Sequence, residues 1–290
     1  MELYASGFNA WGQLQFQATE SHAEPDDLHD FTCVLTGDVI DRPRTSLSYT
    51  TVVVNGKMRT AGHLPTAHRQ LWDEESLPKF LDQSGSVRRY QSLDGFLSQH
   101  ECQTFPRLPP CQQLVAYETG FAALTRAGDV YTLGDERYSA CLGREVSPAR
   151  PADEPGLVTA LQDLPTGPIS KIAAAGYMLA ALTTGSDLYI WGGHPGRKPV
   201  PADIDEEPTP VDIEENDIAD VAVGETHVIV LTTNGDVFVI GENGNGQLGL
   251  SSKSEESWAR VPLGLKDGRR VVGVQAGARN SFLLIHKGST

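Results

Sequence analysis

The chain has 290 residues, with 29 Gly, 18 Pro, 39% hydrophobic residues and a formal net charge of −15. This is the composition of a turn-rich β chain whose apolar residues are spread over many small sheets. The acidic balance excludes the cationic face that nucleic acid or an anionic membrane requires, and it points instead to a basic protein partner.

The first element is a strand, Leu3–Gly7, running into Phe8-Asn9-Ala10-Trp11-Gly12-Gln13-Leu14. The same string recurs near the other end as Val237–Leu250, with Gly7 on Gly241, Asn9 on Asn243, Gly12 on Gly246, Gln13 on Gln247 and Leu14 on Leu248. Two copies with one internal spacing predict a repeat protein. Thr19–Asp30 reads as a polar loop and Phe31–Leu35 as the next strand. Hairpins then close at Gly62, Gly134, Gly192 and Gly241, each with a bulky apolar residue ten positions earlier: Val52, Leu124, Leu182 and Leu231. Each is an apolar strand, a Gly- or Asn-rich turn and a second strand.

Residues 65–110 carry the poorest pattern and read as an insertion or degenerate blade, with a short helix over Glu74–Leu81 and a worn-down hairpin over Ser86–Leu97. The pattern returns over 111–143, passes a proline-rich connection from Pro148 to Pro168, and resumes over Ile169–Gly193. The last copy, Val274–Gly288, stops at its turn. Its missing strand is the one that opens the chain, so Leu3–Gly7 is expected to pair with Phe282–Ile285 and close a ring. Successive closing glycines lie 49 to 72 residues apart, counting the wrap from the last to the first. That interval predicts four-stranded propeller blades, five readable and a candidate degenerate sixth, in one domain over 1–290.

The string from Gly224 to Gly249, G-x-x-H-x-x-x-x-L-T-x-x-G-x-V-F-x-x-G-x-N-x-x-G-Q-L-G, resembles the repeat of the regulator of chromosome condensation family, shared with β-lactamase-inhibitor protein II. The resemblance implies an all-β closed β-propeller with the N-terminal strand closing the last blade. The family commonly has seven blades, and this chain is short for seven at its own period. Members include an exchange factor for the small GTPase Ran, chromatin-associated adaptors, an α-tubulin suppressor acting with tRNA and diphthamide modification factors, and a plant light receptor that depends on clustered tryptophans. Here Trp11, Trp72, Trp191 and Trp258 are scattered.

No chemistry-bearing constellation stands out. Gly244-x-Gly246-x-x-Gly249 matches a dinucleotide-binding string, but no apolar helix follows and the string recurs as a turn at the N-terminus. Cys33, Cys102, Cys111 and Cys141 lack CxxC spacing and paired histidines, which predicts reduced thiols without metal. His227 reads as a structural residue tied to the neighbouring blade, and no G-x-S-x-G or HExxH occurs. No enzyme and no cofactor is expected. With no apolar run of about 18 residues, the chain reads as an intracellular protein, cytoplasmic or nuclear, and monomeric.

Function is therefore expected in loops that break the repeat. The turn that should follow Gly192 is replaced by a stretch containing His194, Arg197 and Lys198. The most charged segment follows, with Asp203, Asp205, Glu206, Glu207, Glu214, Glu215 and Asp217. These ten residues are the expected contact for another protein, and the insertion at 65–110 is the second candidate. The expected activity is that of an interaction scaffold or adaptor. The alternatives are nucleotide exchange on a Ran-like GTPase, or an α-tubulin-suppressor-like partnership with tRNA or diphthamide modification factors.

Overall fold

The computed structural model describes residues 1–17, 25–66, 84–90, 92–98, 100, 102–196 and 204–288. From the N-terminus come β1 (Glu2–Gly7), β2 (Leu28–Thr36), β3 (Arg44–Thr45), β4 (Tyr49–Val54) and β5 (Lys57–Gly62). The middle of the chain begins with β6 (Arg88–Tyr90), α1 (Leu93–Ser98) and β7 (Cys102–Thr104). It continues with β8 (Cys111–Tyr117), β9 (Gly120–Thr125), β10 (Val130–Leu133), β11 (Gly156–Leu157), β12 (Ile169–Ala175), β13 (Met178–Thr183), β14 (Leu188–Gly192) and β15 (Thr209–Val211). Last are β16 (Ile218–Val223), β17 (His227–Thr232), β18 (Val237–Glu242), β19 (Ser254–Arg260), β20 (Arg270–Ala276) and β21 (Asn280–His286).

The chain divides into two compact units: Met1–Glu75 with Lys198–Ile204 and Val211–Thr290, and Ser76–Arg197 with Asp205–Pro210. In the first unit the sheets are β2-β1-β21-β20, β16-β17-β18-β19 and β3-β4-β5. The pairing expected of the two chain ends is present. β1 lies antiparallel to β21 in unbroken register, from Glu2 opposite Ile285 to Gly7 opposite Asn280. β1 is thus an interior strand, with β2 on its other side.

Period-two alternation explains why β21 reads as the continuous apolar run Phe282-Leu283-Leu284-Ile285, since both faces of its sheet are covered. Phe282 and Leu284 pack with Leu3, Ala5, Val52 and Val54, whereas Leu283 and Ile285 pack with Ile229, Val239 and Val274. In the second unit the sheets are β11-β10-β9-β8 and β12-β13-β14-β15. Ala122, Leu124 and Val130 of the former pack against Ile172, Leu179, Ala181 and Trp191 of the latter.

Four first strands carry a β-bulge at the same place, between Cys111 and Gln113, Ile169 and Lys171, Ile218 and Asp220, and Val271 and Gly273. A bulge re-aims the residue behind it. Gln113 uses that aim to bond both backbone groups of Ile172, at 2.6 and 2.9 Å. Asp220 likewise accepts the Val274 amide at 2.9 Å and the Arg42 guanidinium at 2.6 Å. In β20 the corresponding residue is Gly273, where the space beside the missing side chain is taken by Arg42.

Five blades account for these sheets, and among the described residues of 65–110 no sixth blade forms. Within Ser86–Leu97 lie one three-residue strand, β6, and the start of α1; the strand pairing with β6 is β7, outside the expected hairpin. Its strands are too short and too exposed to offer an apolar face: Arg88, Arg89, Cys102, Gln103 and Thr104 all face solvent. The sheet of residues 39–64 holds three strands, not four. The helix expected over Glu74–Leu81 lies outside the described residues. All four cysteines are free thiols, two exposed and two buried.

Candidate functional site

The residues that make the repeat legible are consumed by structure. Asn9 Oδ1 accepts the Leu14 amide at 2.9 Å, and Asn243 Oδ1 accepts the Leu248 amide at 2.8 Å. Gln13 Oε1 accepts the Trp11 amide and Gln247 Oε1 accepts the Asn245 amide, both at 3.0 Å. Each turn is thus closed by its own asparagine and glutamine, and all four of those side chains are buried. None is free for a ligand.

The G-x-x-H spacing has a similar cause. His227 lies over Gly224, where a methyl group would overlap the imidazole ring. In the blade of β8–β11 the spacing is reversed: Tyr117 donates its hydroxyl to Leu133 O at 3.0 Å, and Gly120 leaves room for that carbonyl and hydroxyl. His227 Nε2 lies 2.9 Å from Ser281 Oγ on the neighbouring sheet, and both residues are fully buried. A His–Ser pair without access to solvent or substrate is a tie between blades, made here to a serine side chain.

Burial pushes the His227 pKa from 6.5 down to about 4. The unfolded chain therefore takes up this proton first. The stability of the neutral ring is complete above the unfolded value and is lost as pH falls toward the folded one, roughly 3 kcal/mol in all. Urea melts between pH 7 and 4.5 should show this slope. His227→Asn, which imports the residue that Asn280 supplies in the next blade, should flatten it; an equal slope in the variant would show that His227 is not its source.

Seven of the ten residues expected to meet a partner are described. Arg197, Lys198 and Asp203 lie outside the described residues. Asp205, Glu206 and Glu207 are exposed and belong to the second unit, whereas Glu214, Glu215 and Asp217 are exposed and belong to the first. Their local bonds are those of loops: Asp205 O accepts the Gly192 amide at 3.1 Å, and Asp212 Oδ1 accepts the Glu215 amide at 2.9 Å. Glu214 and Glu215 both sit at positive φ, 50° and 59°, in a turn anchored by buried Ile213.

His194 is half-buried and packed against two tyrosines. Its ring meets Tyr177 edge-on at 4.6 Å and Tyr138 at 5.5 Å, and the two tyrosines are 5.1 Å apart. Cys141 fixes the backbone beneath them, its thiol donating to Tyr177 O at 3.4 Å and Gly193 O at 3.6 Å. Burial raises that thiol's pKa to about 11, so it stays protonated and unreactive.

Sequence reasoning missed a cleft of about 1280 Å³ in the second unit, floored by Leu114, Phe121 and Leu133 and walled by Arg88, Arg89, Glu136 and Asp153. It also missed Arg144, which holds one wall. This buried guanidinium donates to the carbonyls of Thr132, Glu145, Arg150, Pro151 and Glu154 and lies against Gly156. The only signal was an Arg in the place of Leu250, directly after a Leu-Gly turn. Among the described residues no three His, Cys, Asp or Glu side chains are grouped to hold a metal. No helix among them is long and apolar enough to cross a membrane.

Four-stranded antiparallel sheets, bulged first strands and a final blade completed by the first strand define a β-propeller built from sequence repeats. Models of the regulator of chromosome condensation (RCC1) repeat match residues 218–247 and 234–284. The mitochondrial RCC1 domain-containing protein RUG3 of Arabidopsis thaliana is 30% identical over 179 residues, covering 59% of this chain and 39% of that protein. The regulator of chromosome condensation of Drosophila melanogaster is 34% identical over 136 residues, 45% of this chain and 24% of that protein. The crystal structure of Prp20p from Saccharomyces cerevisiae superposes with a TM-score of 0.54 at 17% identity, over 99% of this chain and 65% of that one. The chain thus carries RCC1 repeats over residues 218–284 within a five-bladed β-propeller. It spans well under half the length of the two relatives it resembles in sequence.

Proposed function

We propose that this propeller is an intracellular interaction scaffold that acts by holding another protein, of basic character, on loops that depart from the repeat. The observation that carries this reading is that Asn9, Gln13, His227, Asn243 and Gln247 are all spent on internal bonds. What the fold leaves exposed are its irregular loops, with Asp205, Glu206, Glu207, Glu214, Glu215 and Asp217 the densest charge among them. The protein acts as one propeller domain over 1–290, a monomer in cytoplasm or nucleus, without direct contact to nucleic acid or membrane.

Affinity purification from native extract tests this. Replacing Asp205, Glu206, Glu207, Glu214 and Glu215 by Ser or Gln should lower partner recovery without changing the melting temperature. Recovery should also fall with salt, because the Debye length is about 10 Å at 0.1 M. Full recovery by the substituted protein, together with full recovery after deletion within 65–110, would place the contact elsewhere.

A second reading is nucleotide exchange on a Ran-like GTPase. It is favoured by the kinship with the Drosophila regulator and with Prp20p, whose structure is described together with its binding to Gsp1p and histones. Accelerated nucleotide release from Ran at sub-stoichiometric protein would establish it in place of the adaptor reading.

A further inference from the structure

Two copies of one turn carry different side chains at the same position, and one of those side chains has no internal use. Trp11 and Asn245 are equivalent, each donating its amide to the glutamine two residues on. Asn245 spends its side chain on the fold, donating from Nδ2 to Asp27 Oδ2 at 2.8 Å. Trp11 stands 53% exposed, with its indole 6.2 Å from the ring of His63.

Two further turns of the same unit are tied to this one, and each carries an exposed side chain. Leu47, in the β3–β4 turn, is 50% exposed, and its carbonyl accepts Gln13 Nε2 at 3.2 Å, which ties it to the Trp11 turn. His63, directly after β5, is exposed and held by its amide to Ser48 O at 2.7 Å, with Ser48 Oγ donating back to His63 O at 3.0 Å. An exposed tryptophan beside an exposed leucine on a rigid turn is the composition of a binding hot spot.

The charge around the turn selects the partner. Asp26 is exposed, and its carbonyl is bound by Asn9 Nδ2 at 3.0 Å; Asp27 adjoins it and accepts the Asn9 amide at 2.8 Å. Arg279, whose carbonyl accepts the Phe8 amide, directs its guanidinium to Glu225 at 3.6 Å. Glu225 thus offsets the Arg279 charge, and Asp26 and Asp27 set two carboxylates beside the turn, in a chain whose net charge is −15.

We infer that Trp11, Leu47 and His63 form a docking surface for a basic segment of a protein partner, which lays an aliphatic side chain against the indole and Leu47 while its cations face Asp26. The inference rests on the scaffold reading and adds a surface to it.

The test uses the full chain and a labelled helical peptide of Leu and Lys, with Ser/Lys and Leu/Glu peptides of the same length as comparisons. Fluorescence anisotropy should show the Leu/Lys peptide binding at least about tenfold more tightly than either comparison. Trp11→Asn, which copies the residue of the other turn, and Leu47→Ser should each weaken it by about tenfold or more. The melting temperature of Trp11→Asn should stay within about 2 °C of wild type, as surface changes usually do. Undiminished binding to both variants, or equal binding of the Ser/Lys peptide, would overturn the proposal. So would concentration-dependent dimerisation abolished by Trp11→Asn, which would assign the patch to a second copy of the chain. If no peptide binds Trp11 while the acid-loop substitutions still abolish partner recovery, the scaffold reading stands and this surface falls.

Discussion

Deleting residues 1–8 is expected to abolish cooperative melting and to give a protein that aggregates. β1 is hydrogen-bonded on both sides, to β2 and β21, so its loss exposes the long edge of β21 and leaves β2 without a partner. Leu3, Ala5 and Ser6 are fully buried, and Glu2 is nearly so, with Arg269 at 3.4 Å and Lys287 at 3.7 Å. Leu3→Ala alone should cost about 2–5 kcal/mol, because the cavity lies between packed sheets that cannot collapse into it. A synthetic peptide of residues 1–17 added to the truncated chain should restore part of the transition by supplying the strand in trans. A truncation that melts like wild type in calorimetry would show that β1 does not complete the sheet in solution.

Replacing Arg144 by Ala should strongly destabilise the second unit. Burial depresses the guanidinium's pKa, yet it remains charged and gathers five backbone carbonyls. Removal leaves those carbonyls seeking water inside a packed loop, at about 3 kcal/mol in total. For a chain of this size that corresponds to a fall in melting temperature of about 5 °C. Lys offers a single point charge instead of a planar fork, so Arg144→Lys should recover only part of the loss. Limited proteolysis should cut Arg144→Ala faster between residues 145 and 156 than elsewhere. Equal cleavage in variant and wild type would deny the arginine its role as the loop's anchor.

The repeat was legible because local rules are written in local residues. Each N-x-x-G-Q-L turn bonds to itself within five residues, so its signature survives in the string, and G-x-x-H is legible because one ring needs one missing side chain beside it. The same logic explains why 65–110 was read only loosely. β6 and β7 have too few residues to display a period, and the Ser86–Leu97 hairpin was placed where the chain makes a strand and part of a helix. The partner loops were a matter of composition. Charge marked Asp205–Glu207 and Glu214–Asp217 as exposed, which they are, but charge could not say that the two runs belong to different compact units.

By itself, then, the amino-acid sequence determined the repeat, the all-β class and the pairing of the two chain ends, because alternation, turn chemistry and an unfinished last copy act over short distances or by simple subtraction. Only the tertiary structure decided the blade count, the packing of His194 against Tyr138 and Tyr177, the anchoring by Arg144, and the tying together of the turns that carry Trp11, Leu47 and His63. Each of these joins residues far apart in the string, through side-chain bonds and ring contacts that no period or spacing encodes. A tryptophan in a turn looks the same in sequence whether it is buried or bare; what surrounds it in space decides which.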